Sequence, residues 1–229
     1  MAPRIDGQVH WFSEHGLYDG LFLMRDEESG TFWDHMTGEA VYGPEVGRAL
    51  EVGNLRQSTV AQTLREDGET LVALSERELR SDDDLKLDGL LARVRGRLSD
   101  FFSNTVEEED SRRPTMDLGL GLWGGAEAIY YPYETVMGEG RALLDRYEGR
   151  QVLVYLDPTA KALAAYFTEA ETFDWDEDVL RLDDGSYVEG GVLFGADGSR
   201  LEGRRPLQVF TRWYGFSLTF PGVPIYGGR

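Results

Sequence analysis

The chain has 229 residues, 41% hydrophobic and 12% aromatic, which fits a folded body with a sizeable core and excludes a disordered chain. Its formal net charge is −19, from 42 acidic and 23 basic residues, and so acidic a surface repels phosphate backbones, so no nucleic-acid partner is expected. Cysteine is absent, which removes disulfides, thiolate metal sites and thiol nucleophiles.

No apolar run approaches the ~18 to 20 residues that a membrane span needs. The opening "MAPRIDGQVHWFSEHG" lacks an apolar signal-peptide core, so a cytoplasmic location is expected. Lys86 and Lys161 are the only lysines. Acidic surfaces poor in lysine are also how proteins from salty cytoplasm tend to look, and on that reading most carboxylates serve solvation.

In chain order, "GLFLMRD" and "GTFWDH" alternate like paired strands around "EESG", a turn with Gly30 at a positive φ, and "EAVYG" reads as a third strand. Trp33 is expected to be buried, with Gly38 or Gly43 in a conformation that other residues avoid. "STVAQTLRED" has helical spacing at Val60, Ala61 and Leu64, with Ser58 as its cap, and "ETLVAL" reads as a strand.

The most regular helical pattern lies at 82–102. Leu87, Leu90, Leu91, Val94, Leu98 and Phe101 form one continuous face, capped by Ser81 with Asp82 to Asp84 at the positive end. Such a stripe packs on the body or against a partner, including a second copy of the chain. "SNTVEEEDSRRPTMD" follows as a surface loop.

The second half is rich in strands: "AEAIYYPY", "RQVLVYLDP", "ALAAYFTEA" and "GGVLFGADGS". "ETVMGEGRALLDRYEG" is expected to be helical for part of its length, and "VFTRWYGFSLTFPGVPIYG" to form a short aromatic helix before a Pro-bounded terminal strand.

"GLGLWGG" has the G-x-G-x-x-G spacing, but a polar loop precedes it and a strand pattern follows it, the reverse of a dinucleotide loop. His10, His15 and His35 are the only histidines and are the candidate metal ligands, with Asp26, Asp34, Glu39, Met24 or Met36 available beside them. Their spacing matches no recognised metal signature. If Trp33 faces the core, His35 shares its face and needs a partner, for which a carboxylate or carbonyl is favoured over a metal. No G-x-S-x-G elbow is present, and no catalytic set stands out.

The run from Phe12 to Leu50 resembles domain-of-unknown-function family 3179. The matching positions are Gly16, Leu17, Met24, Asp26, Glu28, Trp33, the run Thr37 to Ala40, and Gly43 with Pro44. "AIYYPYETVMGEGRALLDRYEGRQVLVYLDP" resembles the same family's Tyr-Pro strand, helix and valine-rich strand. In many members that strand leads into Cys-Pro-Leu-Cys, whereas here the place reads "YLDPTAKA". The resemblance covers both ends of the chain, not 76–115, and implies a fold but no activity.

A weaker internal echo links the segment from Thr37 to the segment from Asp197, each running through glycines, a leucine, a short helix, a turn and a strand. The expected fold is therefore α+β, a mixed, mostly antiparallel sheet with a few helices, in two pseudo-repeated half-units forming one compact body. The half-units are 1–75 and 119–229, with an amphipathic helix and acidic loop inserted at 76–118. Three functions stay open. One is a non-catalytic binding or assembly protein, self-associating or docking a partner through 82–102. Another is a metal-binding protein or metalloenzyme using His10, His15 and His35. The last is an enzyme with an aromatic-lined pocket. No cofactor is required by any sequence feature.

Overall fold

The structure, a computed structural model, describes residues 3–66, 70–71, 105–106 and 108–228. The helix expected at 82–102, and most of the strand expected at "ETLVAL", lie outside the described residues. The described part consists mostly of antiparallel sheets with a few short helices. None of its helices is long and apolar enough to cross a membrane.

A two-stranded ribbon of β1 (Arg4–Ile5) and β2 (Gln8–Val9) opens the chain. A four-stranded meander follows, in the order β3 (Phe12–Tyr18), β4 (Leu21–Asp26), β5 (Phe32–Asp34) and β6 (Ala40–Tyr42). Trp33 is buried at its centre against Ile5, Ala40 and Leu50, with Phe12 edge-on at 6.3 Å between ring centres. Gly38 and Gly43 both hold positive φ, 76° and 114°. The buried Trp33 and the glycines at positive φ are as the flanking strand pattern implies.

Helix α1 (Val60–Glu66) forms where expected, but its burial is the reverse of the helical stripe. Val60 and Leu64 are exposed, and Gln62 is the residue it buries. Its cap is Thr59 and not Ser58. The Gln62 N–H donates to Thr59 Oγ1 at 3.2 Å and the Thr59 N–H donates to Gln62 Oε1 at 2.8 Å, a reciprocal capping box.

The centre of the molecule is a sheet of β9 (Ala142–Tyr147), β10 (Arg150–Asp157) and β11 (Ala162–Phe167) in the order β11-β10-β9. The near-continuous apolar runs "VLVYL" and "ALAAYF" mean burial on both faces, and alternation sends successive side chains to opposite cores. Val152, Val154, Leu163 and Ala165 pack with Leu120, Leu122 and Tyr131. Leu153, Tyr155, Ala164 and Tyr166 pack with Leu180, Val188 and Leu193.

The first of these cores is covered by the sheet β16-β7-β8, made of β7 (Leu118–Gly124), β8 (Glu127–Pro132) and β16 (Gln208–Arg212). The second is covered by another meander, β12 (Phe173–Asp176), β13 (Val179–Leu182), β14 (Tyr187–Glu189) and β15 (Val192–Phe194). Sequence pattern missed the first three of these strands, because Asp174, Asp176 and Arg181 break the apolar run while pointing outward.

"GLGLWGG" is strand β7 itself. A Cβ at Gly121 would sit 2.1 Å from the Phe216 ring, and one at Gly119 would sit 2.5 Å from the Tyr130 ring, so these glycines admit aromatic packing and not a pyrophosphate. "ETVMGEGRALLDRYEG" divides between helix α2 (Tyr133–Gly138) and strand β9. Helix α3 (Trp213–Thr219) is the expected aromatic helix, burying Trp213 and Phe216 against Tyr130 and Val223. No named strand follows it. Instead Ile225 makes a single parallel bridge to Tyr130, which prolines on either side of Val223 limit to one point of pairing.

Candidate functional site

The structure gives the three histidines three different sets of partners. His10 Nδ1 lies 3.0 Å from both carboxylate oxygens of Asp26 and 3.8 Å from Glu28 Oε2. The ring of His15 tilts over Phe32, with centres 4.7 Å apart. His35 places Nδ1 2.9 Å from the Phe22 carbonyl and its ring edge-on to Phe22, so Nδ1 carries the proton and donates. The half-buried His35 thus has a backbone carbonyl as partner, one of the two kinds, carboxylate or carbonyl, that its place in the sequence favoured. Among the described residues the group with three ligand atoms within 4.8 Å of one another is His10, Asp26 and Glu28, without His15 or His35.

Asp26 is closed to solvent and serves its own hairpin turn. Its carboxylate accepts from the Glu28 N–H at 3.0 Å and the Ser29 hydroxyl at 2.6 Å. Burial alone pushes this carboxyl up, but the bonds from Ser29, His10 and Glu28 together outweigh it and hold the group below the ordinary carboxylate value.

A second polar cluster lies where α1 meets the central sheet. The segment "YLDPTAKA" supplies Asp157, which is buried. Its Oδ1 accepts from the N–H groups of Thr159 and Ala160 at 2.9 and 3.0 Å, and its Oδ2 accepts from Gln62 Nε2 at 2.7 Å. Gln62 also donates to the Gly190 carbonyl at 2.9 Å. The next carbonyl, Gly191, accepts from Arg205 Nη2 at 2.6 Å, the Tyr166 hydroxyl at 2.8 Å and Arg56 Nη1 at 3.3 Å. The rings of Tyr155 and Tyr166 stack at 6.1 Å, and the Arg205 guanidinium lies 4.0 Å over Tyr166. Burial pushes both phenols up, well clear of ionisation, while Arg205 pulls the other way.

Outside this network opens a cavity of about 380 Å³ with Arg56, Arg200, Arg204 and Arg205 on its wall. Composition hid it, because its arginines come from positions 56 and 200–205, far apart in a chain dominated by acid.

A larger cleft, about 570 Å³, runs between the Thr-Gly-Glu turn and the C-terminal half. Trp123 and Phe220, ring centres 6.1 Å apart, line it with Glu39 and Glu127. These two glutamates are the ionisable side chains on its wall, and Glu127 is held by the Glu148 N–H at 2.9 Å. No histidine lines it.

Fold and sites define a mostly antiparallel β protein with a few short helices, a tyrosine–arginine network, and an arginine-lined cavity and an aromatic cleft among its surface cavities. No protein-family model, curated protein or solved structure matches the chain.

Proposed function

We propose that this chain is a non-catalytic binding protein, a cysteine-free relative of domain-of-unknown-function family 3179, which seats a small ligand in the cleft floored by Trp123 and Phe220. The observation that carries the reading is the chemistry of that wall. It offers aromatic faces and two carboxylates, and among the described residues no hydrogen bond joins either carboxylate to a histidine or hydroxyl that could relay a proton. Aromatic faces beside carboxylates suit an uncharged or cationic molecule with a flat apolar side. The spent Asp157 carboxylate agrees with it. Where relatives carry thiols, this chain has a structural acid with no oxygen left for a reaction.

Two half-units are part of the proposal. What supports them is the order of elements: a four-stranded meander and a seven-residue helix occur at both ends, as β3–β6 with α1 and as β12–β15 with α3. The equal spacing of α1 from Ser58 and of α3 from Thr211 agrees with this.

A thermal-shift screen of sugars, amines and aromatic amides tests the function. Hits are expected to lose their effect in Trp123→Ala and to remain chemically unchanged by NMR after long incubation with the protein. Conversion of a hit into product would sink the non-catalytic reading, and hits indifferent to Trp123→Ala would sink the cleft.

A metal-binding reading is favoured by one observation, the His10, Asp26 and Glu28 group. Metal analysis of protein purified without chelator decides between the two. A stoichiometric transition metal that disappears in His10→Ala establishes the second.

A further inference from the structure

We propose that the arginine-lined cavity beside α1 binds a small oxyanion, a phosphate or a carboxylate. The site shares no lining residue with the aromatic cleft.

The charge argument comes first. The chain has 42 acidic residues against 23 basic, yet four arginines line this one cavity. Glu202 is the one acid on its wall, and Glu66, which ion-pairs with Arg56, stands just behind it. A local excess of positive charge in so acidic a body focuses the field on this cavity and draws in small anions. The same body repels a long polyanion, which leaves a ligand small enough for about 380 Å³.

Partnering comes next. Among the described residues no carboxylate pairs with Arg200, Arg204 or Arg205. Arg200 uses Nη1 on the Glu66 carbonyl at 3.2 Å. Arg205 is held entirely by neutral groups: the Gly191 carbonyl, the Tyr166 hydroxyl and the Tyr166 ring. Its Nη1 is buried and has no hydrogen-bond partner among the described residues. Arg205 therefore brings to the cavity wall a positive charge that no carboxylate among the described residues compensates, and an oxyanion would supply that compensation.

Geometry gives the chemical class. Guanidinium forks match the paired oxygens of carboxylates and phosphates, which a point-charge lysine does not. The stacked tyrosines fix Arg205 from below, so its orientation is set before the anion arrives. Arg200, exposed, and Arg204, half-buried, stand on the same wall and offer further guanidinium donors to the anion.

The test uses the full chain at constant ionic strength set with potassium chloride. Sodium phosphate and sodium succinate are titrated separately, each read by thermal unfolding and calorimetry. A saturable rise in Tm at millimolar phosphate or succinate is expected, and the arm that responds identifies which oxyanion is held. The double variant Arg200→Gln, Arg204→Gln should fold and lose roughly tenfold or more in affinity. Arg205→Gln should abolish binding; should it fail to fold, the double variant still decides. The proposal is overturned if neither anion exceeds the matched chloride control, or if the double variant binds as the wild type does.

Discussion

Asp26 holds a hairpin shut with a carboxylate closed to solvent, and its bonds dictate a pH dependence. Its folded-state pKa lies below the ordinary value of 3.8. A depressed acid stabilises the fold fully above its unfolded pKa and loses that contribution as pH falls through the folded one. Asp26→Ala strands the Glu28 N–H and the Ser29 hydroxyl, so it should cost about 1 to 3 kcal/mol at pH ~7. In urea unfolding the gap between variant and wild type should narrow as pH falls below ~4. A gap independent of pH would show that the carboxylate charge is irrelevant. Two glycines of the neighbouring turn allow a ranked comparison. Gly38→Ala meets a positive φ of 76° and should cost about 1 kcal/mol. Gly43→Ala has φ 114° and also drives a Cβ to 2.8 Å from the Thr31 Cα, a backbone atom with little freedom to yield. It should therefore cost clearly more, at least about 2 kcal/mol. Equal melting temperatures for the two variants would mean the turn relaxes around both.

Helix α1 shows how an element can be placed by polar bonds. Seven residues are too few for helical propensity to hold, and its apolar residues Val60 and Leu64 face solvent. Gln62 holds it instead, tied at one end to Thr59 and at the other to Asp157 and Gly190. Gln62→Leu leaves a buried carboxylate oxygen and a carbonyl without their donor, so about 1 to 3 kcal/mol of stability should go. The amides of 60–66 should lose hydrogen-exchange protection before those of β10, and unchanged protection there would mean α1 is docked by something else. This helix also marks where sequence reading stopped. Its existence was legible from spacing, but its buried face was not, since Gln62 gains its meaning from Asp157, which is 95 residues away. Strands β10 and β11 were legible because burial on both faces leaves an unbroken apolar run. Strands β12 to β14 were not, because alternating acids there mimic loop composition in a chain rich in acid. The site divided the same way. That His35 needs a carboxylate or carbonyl partner followed from strand alternation at Trp33, whereas the arginine cavity exists only once positions 56 and 200–205 are brought together.

For the molecule as a whole, the question is what a net charge of −19 does to a fold of this size. The core is well made: the central sheet is buried on both faces, and large aromatic residues close the layers. Among the described residues the buried acids are Asp26 and Asp157. Of the arginine–carboxylate pairs there, Arg25–Glu27, Arg48–Asp6 and Arg181–Asp176 join two exposed side chains, whose ion pairing contributes little. Uncompensated surface charge repels itself, and the range of that repulsion is set by salt. The Debye length is about 30 Å at ~0.01 M and about 3 Å at ~1 M, so at low salt every carboxylate feels most of the others. Unfolding relieves that repulsion, and the fold should therefore be weakest in dilute buffer. Melting temperature is expected to rise by roughly 5 °C or more between ~0.01 M and ~1 M potassium chloride, equivalent to about 1 to 2 kcal/mol for a chain of this length. Potassium glutamate at matched ionic strength should act similarly if screening is the cause, because glutamate offers the same potassium with a different anion. A larger rise with glutamate than with chloride would instead point to carboxylate binding at the arginine cavity, and there the Arg200→Gln, Arg204→Gln variant should lose the excess. A flat response to both salts would remove salt adaptation as the reason for the acidic surface and leave a cationic partner to account for it.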